Sequence, residues 1–107
     1  MEIARGEIWW ADLLDPVASD PGGTRPVLVV QANAFNRSRI ATILVVVITT
    51  NERLATLPGN VPISPRGTGL KQPSVVNVSQ VITADRTFLR ERLGRVSSEV
   101  MARVDAV

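Results

Sequence analysis

The chain contains no histidine and no cysteine, the two side chains that most often carry chemistry near neutral pH. Thiol nucleophiles, His-based triads, cysteine zinc sites and His-metal sites are excluded with them. Any catalysis must draw its charge stabilisation from Arg, Lys or backbone N–H groups and its proton transfers from Asp, Glu or a hydroxyl. Phosphoryl transfer, dominated by positioning and electrostatics, is foremost among the reaction classes left.

Without cysteine there is also no disulfide framework, which makes a reducing compartment the natural home. A packed core must then hold the fold, and 107 residues suffice for one domain, residues 1–107. Long apolar runs are missing too: the longest, Ile43 to Ile48, is far too short to span a bilayer. The start Met1-Glu-Ile-Ala-Arg5-Gly-Glu7 has no basic segment leading into an apolar one. A cytoplasmic protein with no membrane partner is expected. Lysine is scarce, one against eleven arginines, yet the net charge is only +2. A nucleic-acid partner is allowed by that balance and not demanded, and a GC-rich coding sequence would bias Arg over Lys by itself.

Of what is present, Asp20-Pro-Gly-Gly-Thr-Arg-Pro26 followed by Val27-Leu-Val-Val30 is the most telling stretch. It places a guanidinium, Arg25, where a Gly-rich loop hands over to a strand, a place to hold an anion. Ile8 to Leu13 reads as a first strand ended by Asp15-Pro16, and residues 14 to 24 as a loop long enough to be functional. Pro26 suits the first residue of a second strand running to Gln31. Asn33 to Arg39 reads as a turn or one helical turn. Thr42 to Thr50 is apolar without alternation and rich in β-branched residues, as in a central strand covered on both faces.

Gly59 to Ser64 is a weaker strand that Pro62 pushes to an edge, and Ser74 to Ile82 resumes strand character after the turn 65–69. Alternation there sets Val76, Val78 and Gln80 on one face and Val75, Asn77, Ser79 and Val81 on the other. Thr87 to Arg92 suggests a short helix stopping at Gly94. A last helix begins after Ser97 as N-cap, with Val96 and Met101 as a hydrophobic staple and Val100, Met101, Val104 and Val107 as its apolar stripe. Short strands followed by helices predict an α+β, mostly β domain, a small partly open barrel with a C-terminal helix.

Three features stand together: Gly22-Gly-Thr-Arg-Pro26, the buried strand leaving in Ile48-Thr-Thr-Asn51, and Asn77-Val-Ser-Gln-Val81. Strand ends meeting at one rim can join an arginine, a hydroxyl and an amide, a set able to clamp a phosphate and read a base. With Arg5-Gly-Glu-Ile-Trp-Trp-Ala-Asp-Leu13, Gly23-Thr-Arg-Pro-Val-Leu-Val-Val-Gln31, Val46-Val-Ile-Thr-Thr50, Val78-Ser-Gln-Val81 and Gly94-Arg-Val-Ser97 in order, nearly the whole chain strongly resembles the MazF/PemK family of toxin endoribonucleases.

That resemblance implies an SH3-like or CcdB-like barrel, a homodimer, metal-free cutting of single-stranded RNA at short recognition sequences, no cofactor, and neutralisation by a MazE-like antitoxin. By motif the catalytic arginine falls on Arg25, the catalytic threonine on Thr49, and the acidic loop residue, Glu in many relatives, on Asp20. RNA contacts fall on Ser79 and Gln80, with Ser19, Thr24, Asn77 and Arg86 as further candidates. The family's last helix commonly runs a turn or more further than Val107, so a shortened or truncated helix is expected here.

The side chains fit such chemistry on their own terms. The 2′-hydroxyl of RNA supplies the nucleophile, so the protein needs only to align it and stabilise the phosphorane charge, and dependence on that hydroxyl would select RNA over DNA. Each residue also has a plainer reading. Arg25 would pair with Asp20 at the surface, Asp20 would be base or anchor, and Thr49 an ordinary strand-end hydroxyl beside Thr50. Trp9 and Trp10 are more often core or dimer interface than base-stacking platforms. Arg86, Arg90 and Arg92 read as a solvated helix face rather than a backbone track. At the level of function, the rivals are a CcdB-like gyrase-inhibiting toxin without nuclease activity and a catalytically dead SH3-like adaptor.

Overall fold

The computed structural model describes residues 2–13 and 23–106. Six strands, β1 (Glu7–Leu13), β2 (Gly23–Val29), β3 (Thr42–Thr49), β4 (Val61–Ile63), β5 (Ser74–Asp85) and β6 (Leu89–Arg95), form one antiparallel sheet in the order β4-β5-β3-β2-β1-β6. Two helices complete it, α1 (Asn33–Asn36) and α2 (Ser98–Asp105). The sheet curls into a half-barrel, as the mostly-β, partly open architecture requires.

Curling explains why β2 and β3 have no polar face. Trp9, Ala11, Val27, Val29, Ile43, Val45, Val47 and Leu89 pack together on one side of the sheet. Ile8, Leu28, Val46, Ile48, Val61 and Val76 pack on the other side, where Val100, Met101 and Val104 of α2 cover them. Consecutive residues of β3 therefore serve two cores, and the strand reads as an unbroken apolar run. Ser97 caps α2, its Oγ accepting from the Val100 N–H at 3.2 Å. Val107, the last residue of the expected stripe, lies outside the described residues.

Three expectations are corrected. Residues 87–92 are not a helix: a 3₁₀ turn at Arg86–Phe88 leads into β6, which pairs with β1 through Ala11↔Leu89, Trp9↔Arg92 and Glu7↔Arg95. Leu89 and Leu93 have helical spacing, but the otherwise bare edge of β1 claims their backbone, a long-range demand that local pattern does not report. Second, β5 runs on to Asp85 instead of ending at Ile82. Third, its alternation breaks: Val76 opposes Ile48 and Val81 opposes Val46, so these two valines share a face. A bulge at residues 77–80 shifts the phase and bends β5, letting Val76 join one core and Ala84 the other.

The two sheet edges are brought together by glycines. The turn after β4 lies directly on β6, where the Arg95 N–H donates to the Gly67 carbonyl at 3.4 Å. A Cβ on Gly94 would stand 2.5 Å from the Thr68 carbonyl carbon, so only glycine permits that approach.

Candidate active site

Arg25 belongs to the column Val29–Val27–Arg25 on the face of β2 opposite the α2-covered core, and Thr49 to the column Val45–Val47–Thr49 on the same face of β3. The β2–β3 ladder runs from Val29↔Val45 to Val27↔Val47. Arg25 and Thr49 each stand two residues past the last pair of that ladder, at the same end of the two strands and on one face. On its far side Arg25 is paired with Ala11, and Thr49 with Val75 of β5. Both are half-buried, so the pair closes an apolar wall and meets solvent at its rim. Thr50, by alternation, faces the other way.

The Thr49 hydroxyl is oriented by its own turn. Its Oγ1 accepts the Asn51 N–H at 3.2 Å, and the Asn51 side chain accepts the Arg53 N–H at 3.2 Å to cap the 3₁₀ turn Glu52–Thr56. A hydroxyl that accepts from the backbone keeps its proton to donate elsewhere.

Beside this pair, two residues beyond Val75, stands the bulge of β5. Asn77 is buried and its carboxamide is engaged on both sides: Oδ1 accepts from the Ser79 hydroxyl at 2.7 Å and its N–H at 3.4 Å, and Nδ2 donates to Gln80 Oε1 at 2.9 Å. Asn60, also buried, accepts the Val78 N–H at 3.0 Å and donates to the Leu54 carbonyl at 2.9 Å. Ser79 is exposed and Gln80 half-buried.

Arg25, Thr49, Asn77, Ser79 and Gln80 are thus brought to one end of the sheet. Thr24 is exposed on the opposite face of β2 from Arg25. Arg86 lies at the other end of β3, beside the Thr42↔Asp85 pair, with Nε donating to the Ile40 carbonyl at 2.6 Å and Nη2 to that of Phe35 at 3.0 Å. Ser19 and Asp20 fall outside the described residues, as do residues 14–22 of the expected loop. Arg90 pairs with Asp12 at 2.7 Å and Arg92 with Glu7 at 2.9 Å, so both are tied to β1 rather than arrayed on a helix. Trp9 is core, its indole N–H donating to Glu7 Oε1 at 3.1 Å, while Trp10 is half-buried.

Asn60 and Asn51 escaped the sequence reading. Gly59-Asn60 looked like the start of an edge strand, and nothing in the pattern signals an amide that anchors another strand's bulge. The dipeptide Thr50-Asn51 did carry a signal, an Asx residue before a polar run, which is the mark of a cap.

The fold is thus an open antiparallel half-barrel with a C-terminal helix, which ends two apolar columns in an arginine and a threonine beside a clasped polar bulge. The chain belongs to the PemK-like, MazF-like toxins of type II toxin–antitoxin systems, whose family model matches residues 4–107. It is 47% identical over 105 residues to endoribonuclease MazF6 of Mycobacterium tuberculosis (strain ATCC 25618 / H37Rv), covering 98% of this chain and 92% of that one. Endoribonuclease EndoA of Bacillus subtilis (strain 168) is 36% identical over 105 residues, with 98% and 90% covered. Among solved structures, an endoribonuclease in complex with its cognate antitoxin from a mycobacterial species superposes with a TM-score of 0.77 at 29% identity, covering 96% of this chain and 87% of that one. MazF of Deinococcus radiodurans shares the fold, with a TM-score of 0.79 at 21% identity over 99% of this chain and 92% of that one. No helix among the described residues is long and apolar enough to cross a membrane.

Proposed function

We propose that this protein is a cytoplasmic toxin endoribonuclease that cuts single-stranded RNA at a short recognition sequence, works as a homodimer, and is neutralised by a cognate MazE-like antitoxin. What supports the reading is that strand alternation puts Arg25 and Thr49 on one face of adjacent strands, each two residues past the paired Val27 and Val47 at the end of one apolar wall. The protein's relatives MazF6 and EndoA are endoribonucleases, which supports RNA as the substrate. A gyrase binder or an inert adaptor of the same fold would need neither residue.

In the proposed reaction the ribose 2′-oxygen attacks the adjacent phosphorus, the bond to the 5′-oxygen breaks, and a 2′,3′-cyclic phosphate and a 5′-hydroxyl result. Arg25 grips two phosphate oxygens with its planar fork and stabilises the charge that grows on them in the phosphorane. Thr49, its lone pair held by the Asn51 N–H, donates its proton to a phosphate oxygen or to the departing 5′-oxygen. Asp20 is the candidate to take the 2′ proton. No metal enters this scheme, because RNA brings its own nucleophile and an arginine supplies the charge.

The test is incubation of a long single-stranded RNA with the purified protein in EDTA, beside Arg25→Ala and Thr49→Val. Cleavage leaving 2′,3′-cyclic ends should fall by about 10²–10³ in either variant. Cutting of a 2′-deoxy substrate, full activity in both variants, or no cleavage by the parent would refute the proposal.

A further inference from the structure

Between the pairs Ile48↔Val76 and Val46↔Val81, a single residue of β3, Val47, stands against residues 77–80 of β5. A bulge this large leaves backbone and side chains without ladder partners, and such a segment would ordinarily be loose. Here it is clasped at two points, its backbone by Asn60 and its side chains by Asn77. Both clasping amides are buried, so neither is offered to a ligand.

The clasp fixes more than position. A backbone N–H only donates, so the Asn77 atom facing the Ser79 N–H is the oxygen, and the amide cannot be turned round. Its other end is then the NH₂ group, which needs an acceptor, and the Gln80 atom 2.9 Å away must be Oε1. Gln80 is thereby forced to turn its own NH₂ outward, and Nε2 has no partner among the described residues. Ser79 has committed its proton to Asn77 at 2.7 Å and shows solvent only lone pairs. One buried amide thus sets the hydrogen-bond polarity of two exposed groups: a donor at Gln80 and an acceptor at Ser79.

We propose that Asn77 is a positioning residue that locks Gln80 as a donor and Ser79 as an acceptor toward one RNA base, selecting a keto base, uracil or guanine, at that position of the cleavage site. This rests on the reading of the protein as an endoribonuclease. The exocyclic group at position 4 of a pyrimidine or 6 of a purine is a carbonyl in uracil and guanine, which accepts from Gln80. Next to it is a ring N–H, which donates to Ser79. Cytosine and adenine carry an amino group and a bare ring nitrogen there, so both contacts become clashes of like polarity. A mismatch of that kind discriminates by about tenfold to a hundredfold. The place is right for it, since the bulge begins two residues from Val75, the partner of Thr49.

Cleavage ends on a long single-stranded RNA would be mapped for the parent, Asn77→Asp and Gln80→Glu, with Arg25→Ala as the control for chemistry. Asp at 77 still accepts from Ser79, but its second oxygen now needs a donor and turns the Gln80 amide round. Glu at 80 still accepts from Asn77 and shows its other oxygen outward. Both variants reverse the outward polarity at position 80 and leave Ser79 an acceptor, so they should relax one position of the cut motif, raising cutting at cytosine or adenine relative to uracil or guanine by at least about tenfold, with 2′,3′-cyclic ends retained. A merely structural role would slow every site alike. Uniform slowing, an unchanged motif, or a parent motif without a keto position overturns the proposal while leaving Arg25-dependent cleavage, and with it the nuclease reading, intact. Absence of Arg25-dependent cutting overturns both. Thermal melts monitor folding, and if Asn77→Asp unfolds, the half-exposed Gln80→Glu decides alone.

Discussion

Glu7 is the one carboxylate buried among the described residues, and replacing it tests how β1 is anchored. Its Oε1 accepts the Ala4 N–H at 2.8 Å and the Trp9 indole N–H at 3.1 Å, and its Oε2 accepts from Arg92 at 2.9 Å. Glu7→Gln keeps the first oxygen and both of those bonds, but sets an NH₂ group against the guanidinium. Arg92 is 58% exposed and can swing into water, so the loss should be modest, about 1 kcal/mol. Glu7→Leu removes the acceptor as well and strands two donors, one of them on the buried Trp9, at about 1–3 kcal/mol each. The expected total for Leu is about 3 kcal/mol, so melting temperatures should fall by about 4 °C and about 12 °C respectively.

The pH dependence has a fixed sign. Burial pushes the Glu7 carboxyl up, but the hydrogen bonds from Ala4, Arg92 and Trp9 and the Arg92 charge together outweigh it, leaving the group below its ordinary value of 4.5. A depressed folded-state pKa stabilises the protein above that ordinary value and loses its contribution as acid protonates the group. The deficit of Glu7→Gln should therefore be complete at neutral pH and shrink below about pH 4.5. Melts followed by circular dichroism from about pH 3 to pH 8 measure it. A deficit that stays constant or grows in acid, or a Leu variant no worse than Gln, refutes the reasoning.

Gly94→Ala places a Cβ 2.5 Å from the Thr68 carbonyl carbon and 2.6 Å from its oxygen, backbone atoms that cannot rotate away. A loss of about 1–3 kcal/mol is expected by denaturant titration, and a neutral result would mean that the two sheet edges are not closed as described. Arg86→Ala frees the Ile40 and Phe35 carbonyls at the end of β3 remote from Thr49, so it should lower the melting temperature by several degrees. RNA affinity lost without any loss of stability would restore Arg86 to the binding surface.

How much the sequence disclosed depended on the range of the forces involved. β3 was legible because an eight-residue β-branched run has few other fates, and α2 because Ser97 and its stripe are local signals. β6 was not, since Leu89-Arg-Glu-Arg-Leu93 suits a helix and only the vacant edge of β1 decides otherwise. The phase of β5 was unreadable for a similar reason: alternation has no memory of a bulge, and the bulge is held by Asn60, distant in sequence. Arg25 and Thr49 were identified by family motif, but their placement follows from register, which counting from Val27 and Val47 supplies. The carbonyl partners of Arg86 were not legible, because a guanidinium capping carbonyls and one awaiting a phosphate look alike in a sequence.

The location of the site follows from the same columns. Val29 and Val27 lead to Arg25, Val45 and Val47 to Thr49, and in each the apolar residues beneath are fully buried. Such a column cannot shift laterally without opening a cavity, so the polar residue at its end inherits the rigidity of the core. Arginine is suited to that post, because its aliphatic stem continues the apolar column while its head reaches the rim. A site built this way asks only that two strands keep register, and the double-sided burial of β3 enforces that, since a one-residue slip would send Val45 and Val47 to the helix side and Val46 and Ile48 to the opposite side. The valine-rich strand that defines the fold is in this sense also what holds Thr49 in place, on the same face as Arg25.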